Sequence, residues 1–141
     1  MKTFAYLLTA FLLTFLVVSS CKNKPVEHSH NHSLELNNGQ KWKVVPEMMG
    51  IIQKMEVNLE THSINADSMD YDALGLKLQQ GIDSLTQNCT MKGEAHDELH
   101  KWLVPYMELV QEFNAAEDEL ELNDLNQKLK ESFIRFNTYF Q

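Results

Sequence analysis

Apolar residues recur every three to four positions along four stretches of the chain, and that 3.6-residue period predicts four amphipathic helices. Met48, Ile51, Ile52, Met55 and Leu59 mark the first stripe, which closes near His62. Trp42, Val44 and Val45 lead into it, and Pro46 suits a first helical turn. His62 reads as a capping or rim residue. After a polar break, Asp70 is a candidate N-cap for the second helix. Tyr71, Leu74, Leu78, Ile82 and Leu85 keep the period, and the next step of four lands on Cys89, which is therefore expected to face the core. The third helix carries Leu99, Trp102, Leu103, Tyr106, Val110 and Phe113, with His96, His100, Leu103, Met107 and Val110 along an adjoining face. Leu122, Leu125, Leu129, Phe133, Phe136 and Phe140 define the fourth.

The residues between the stripes refine this picture. Gly93 fits a left-handed C-cap closing the second helix, with residues 90–93 as the turn. The acidic run Glu117, Asp118 and Glu119 suits the start of the fourth helix, where it complements the helix dipole. That reading is preferred to a hard-cation site. Pro105 removes the hydrogen bond to the Lys101 carbonyl and predicts a kink. Gly75 and Gly81 each cost the second helix up to about 1 kcal/mol against alanine, which implies close packing. Four helices with short links predict an all-α, up-down-up-down four-helix bundle over residues 41–141.

The chain ahead of the bundle follows different rules. Lys2 precedes an apolar run at residues 4–18, which is short for a membrane span and is followed by Lys22 and Lys24. A basic start, an apolar core and small residues before a cut describe a secretory signal over residues 1–20. Val18-Ser19-Ser20-Cys21 resembles the lipobox of bacterial lipoproteins. The resemblance implies cleavage before Cys21, a diacylglycerol on its sulfur and an acyl group on its amine. The protein would then be held at a membrane surface of the cell envelope. Lys22, and not Asp, after the lipidated cysteine is similar to the pattern of outer-membrane lipoproteins facing the periplasm. Residues 21–40 have no apolar period and read as a tether reaching at most ~60 Å. They hold His28, His30 and His32 at alternate positions, a composition suited to weak transition-metal capture.

Charge narrows the partners. The 141 residues include 12 Lys and Arg against 20 Asp and Glu, for a formal charge of −8. Removal of Lys2 makes the mature chain more negative still. Repulsion from phosphates argues against nucleic acid, and against an anionic membrane except through the lipid. With Cys21 modified, Cys89 is the one thiol left, in a compartment where lone thiols oxidise or bind metal.

The candidate chemistry sits at residues 88–103. His96 and His100 are four apart and share a helix face, so both can grip one ion. Cys89 and Met91 lie just before the turn, and an antiparallel hairpin carries their sulfurs towards that face. Two imidazoles, a potential thiolate and a thioether suit copper best, with zinc as competitor. Alternating helix direction also collects Met48 and Met49 at this end, where they could replace Met91. The tether histidines enter there too. Asp97 is a candidate carboxylate to orient a ligating imidazole through its other N–H, while Met55 and Met107 read as core filling. The run C-T-M-K-G-x-x-H-D-x-L-H at residues 89–100 resembles one in small, mostly uncharacterised bacterial envelope lipoproteins expected to be helical bundles.

Three functions are open: metal binding for buffering or handover to an efflux partner, docking of an envelope protein without metal, and b-type haem binding by one of the histidines with a methionine from the first helix. C-x-x-C-H, the covalent haem motif, is missing from the sequence. Catalysis is not expected. No phosphate loop, nucleotide fingerprint or zinc-protease motif occurs, and nothing supplies an oxyanion hole for Cys89, His96 and Asp97.

Overall fold

A computed structural model describes residues 33–64 and 70–141. The signal segment, Cys21 and the histidines at 28, 30 and 32 lie outside the described residues. Among the described residues four α-helices follow in order: α1 (Pro46–Ile64), α2 (Tyr71–Gln87), α3 (Glu94–Ala115) and α4 (Glu119–Tyr139). Each packs on its two neighbours in a cycle, α1 on α2 and α4, α3 on α2 and α4. This is the expected all-helical four-helix bundle. Among the described residues no helix is long and apolar enough to cross a membrane.

Local chemistry explains the boundaries. The Asp70 carboxylate accepts the Ala73 N–H at 2.9 Å and starts α2. Asp118 does the same for α4, accepting from Leu120 and Glu121 at 2.9 and 3.1 Å. Each cap satisfies donors that a helix start leaves unpaired. His62 donates from Nε2 to the Asp70 carbonyl at 2.6 Å, tying the end of α1 to the start of α2. It is a rim residue, as its position predicts.

The end of α2 departs from expectation. Asn88, not Gly93, caps this helix, its backbone N–H bonding the Ser84 carbonyl at 3.1 Å. The side-chain amide of Asn88 donates to the same oxygen at 2.8 Å. Gly93 does need a positive φ, +70°, but its ψ of −160° places it ahead of α3 and outside the helical left-handed region. Glycine alone adopts that pair readily. The connection is therefore residues 88–93, longer than the turn expected at 90–93. Helix α3 runs unbroken through Pro105.

The core is built from the four predicted stripes. Met48, Ile52, Met55, Leu59, Leu74, Leu78, Leu85, Leu99, Tyr106, Val110 and Leu129 are essentially inaccessible. Trp102 stacks on Tyr106 with ring centroids 5.0 Å apart and meets Phe136 at 4.7 Å. Its indole N–H reaches the Ser132 carbonyl at 2.9 Å, fastening α3 to α4.

The expected tether boundary at residue 40 is displaced. Residues 33–45 form a strap across one end of the bundle. Leu34 is buried, a tight turn at Asn38 and Gly39 has positive φ at both residues, and Trp42 pairs in parallel with Phe140. Trp42 N–H donates to the Tyr139 carbonyl at 2.8 Å, Gln141 N–H to the Trp42 carbonyl at 2.8 Å and Val44 N–H to the Gln141 carbonyl at 2.9 Å. Polar composition suggested a free linker, but one buried leucine and this backbone pairing hold residues 33–40 on the fold.

Candidate functional site: the sulfur and imidazole groove

The Cys89 Sγ lies 3.4 Å from Nδ1 of His96. Cys89 stands two residues past the end of α2, and His96 in the first turn of α3, so the link at 88–93 folds one onto the other. Either the thiol donates to the ring nitrogen or, with the proton transferred, the ring N–H donates to the sulfur. The His100 ring is one turn further along, its centroid 4.3 Å from that of His96. Cys89 and His96 are half-buried and His100 is exposed, which puts the group on the α2/α3 seam, open to solvent.

Behind this group runs an apolar groove of about 420 Å³. Met48, Leu85, Leu99 and Leu103 form its inner wall, and Val104 and Met107 its outer lip, with Cys89, His96 and His100 at its head. Helix direction explains the convergence. The start of α1, the end of α2 and the start of α3 share one end of the bundle, so Met48 meets Cys89 and His96, which are 41 and 48 positions further along the sequence.

The predicted ligands divide. Cys89, His96 and His100 come together. Met91 is buried and does not line the groove, so the fourth position assigned to it is not supported by its placement. The residue faces inward because the link is longer than a tight turn and turns its apolar side chain onto the core. Met48 lines the groove, whereas Met49 is half-buried beside the core and stands outside it. Asp97 is exposed, and among the described residues no hydrogen bond joins it to either ring. Also among the described residues, no three His, Cys, Asp or Glu side chains stand arranged to hold an ion as they are. The contacting pair is Cys89 and His96; a third donor has to move in or be a thioether.

Two residues do more than the sequence assigns them. Met107 was assigned to core filling but lines the groove with 36 % of its surface exposed. Its place on the line His96, His100, Leu103, Met107 was the available signal. Glu98 is buried, and its carboxylate takes the Glu35 N–H from the strap and the Lys101 ammonium at 2.7 Å. A lone carboxylate one turn before Trp102 on a core stripe was the signal there. The Glu98 hydrogen bond raises the Lys101 pKa, against a smaller opposing effect of burial.

The fold and groove define a small four-helix bundle with a sulfur and imidazole cluster at one end. No protein-family model matches the chain, and neither a curated protein nor a solved structure does.

Proposed function

We propose that this is a lipid-anchored envelope protein that binds a soft transition metal, copper above zinc, at Cys89, His96 and His100, for buffering or handover to an efflux partner. The observation that carries the reading is the 3.4 Å separation of Cys89 Sγ and His96 Nδ1. Two ligands on one tetrahedral ion, with bonds of ~2.3 Å to sulfur and ~2.0 Å to nitrogen, stand ~3.5 Å apart. An ion can therefore replace the shared proton with almost no movement of either side chain. His100, exposed and tilted against His96, has room to rotate in as third donor. Thioethers favour copper(I), and Met48 and Met107 in the adjoining wall bias the choice that way. The lipidated Cys21 places the bundle at a membrane surface, and the acidic chain leaves nucleic acid aside.

The test is a copper(I) titration of the mature protein against a chromophoric chelator. Cys89→Ser and His96→Ala are expected to weaken binding at least a hundredfold, and His100→Ala about tenfold, with the helical circular dichroism unchanged. Wild-type affinity in both Cys89→Ser and His96→Ala would overturn the site. A Soret band in protein purified from its native envelope would replace it with the haem reading.

A further inference from the structure

We infer that a second copy of this chain completes the site for zinc, the competing ion: one four-coordinate ion is held between two parallel copies by Cys89 and His96 of each. This rests on the metal reading above and adds a partner and a stoichiometry to it.

The donor count comes first. A tetrahedral ion such as zinc takes four donors. Among the described residues the chain offers two in contact, Cys89 Sγ and His96 Nδ1 at 3.4 Å, and no third His, Cys, Asp or Glu arranged beside them. Two such pairs make a set of two sulfurs and two nitrogens, which is a closed zinc site. Both residues are half-buried on an open seam, so the remaining positions of an ion held there face out of the chain. Within one chain His100 must rotate in to raise the count to three, whereas a second copy brings two donors already in contact.

The surface beside the pair fits a copy of itself. His100, Val104, Met107 and Gln111 are exposed on α3 at successive spacings of four, three and four residues. That is the spacing of the core positions in a coiled coil. With His96 they fall within an arc of ~80° around the helix. None of them is an acid, a lysine or an arginine, and no Asp, Glu, Lys or Arg lines the groove behind them among the described residues. The chain carries a formal charge of −8, so copies repel one another in general and approach most closely along this uncharged stripe. A two-fold contact sets the stripe against itself and covers Val104 and Met107, two of the exposed large apolar residues.

The ion decides direction. Parallel copies hold the two Cys89 and His96 pairs at one level. Antiparallel copies joined midway between Val104 and Met107 hold the two His96 residues ~30 Å apart, too far for one ion.

The experiment adds zinc to the mature protein in a density-matched detergent. It reads mass by sedimentation equilibrium and zinc content by elemental analysis, for wild type, Cys89→Ser and Val104→Glu. The expected result is a doubling of chain mass with half an ion per chain, and two sulfur and two nitrogen neighbours by X-ray absorption. Cys89→Ser should abolish the zinc-induced pairing. Val104→Glu keeps every donor but opposes like charges across the seam, and should weaken pairing about tenfold or more. One zinc per monomeric chain, or pairing that persists unchanged in either variant, would overturn the shared site. Zinc left unbound by a chain that binds copper(I) would also overturn it, and would leave the groove reading standing. Wild type that binds neither ion would remove both.

Discussion

The side chain of Met55 fills the space that a Cβ on Gly81 would need, so that α1 and α2 meet at a glycine because a methionine lies across it. Met55 is buried, and both its Sδ and its Cγ stand in the way, so the whole side chain and not its tip alone must turn. Gly81→Ala gains up to about 1 kcal/mol of helix propensity but must displace that side chain, at a cost of about 1–3 kcal/mol. We expect net destabilisation in urea unfolding. Gly75 gives the contrast. A Cβ there meets the side-chain amide of Asn114, which is exposed and can swing away. Gly75→Ala should be neutral or raise the urea midpoint.

Tyr106 carries the second prediction. Its ring is buried between Trp102 and Phe133, and among the described residues its hydroxyl has no hydrogen-bond partner. Burial pushes its pKa well above the ordinary 10.0. The fold thus favours the neutral phenol, whereas the unfolded chain ionises near 10.0. The associated stability is complete below that pH and falls as pH climbs above it. Tyr106→Phe should leave stability at pH 7 unchanged or raise it by about 1 kcal/mol. It should also flatten the alkaline decline above pH ~10 in denaturation curves.

Glu98 governs the strap. Glu98→Ala removes the acceptor for the Glu35 N–H and the partner of Lys101. Amide exchange at residues 34–36 should quicken, while Val44, bonded to the Gln141 carbonyl, keeps its protection. Global stability should fall by about 1–3 kcal/mol. Equal exchange in variant and wild type would show that the strap is held by Leu34 and Trp42 alone.

The cap of α4 is a smaller test. Asp118 accepts two backbone N–H groups, so Asp118→Ala should cost about 1 kcal/mol and Asp118→Asn much less. Thermal denaturation of the two variants side by side checks this.

Periodicity alone was enough to place the four helices, the Asp70 cap and nearly all of the core, because a 3.6-residue apolar stripe has one stable fate, burial against other stripes. Chain direction was legible for the same reason. Short links force antiparallel neighbours, so chain direction alone puts Met48, Cys89 and His96 at one end. What pattern could not carry were features fixed by single contacts. Ending α2 at Gln87 depends on Asn88 bonding Ser84, and it is this longer link that sends Met91 into the core while Cys89 meets His96. Residues 33–40 look like a linker because their composition is polar, yet Leu34, the buried Glu98 and the pairing of Trp42 with Phe140 hold them to the bundle. Local propensity acts over one turn of chain and is written in neighbouring residues. Which sulfur faces an imidazole is settled by the course of the link at 88–93, and how residues 33–40 lie on the fold by contacts such as that of Glu35 with Glu98, 63 positions away.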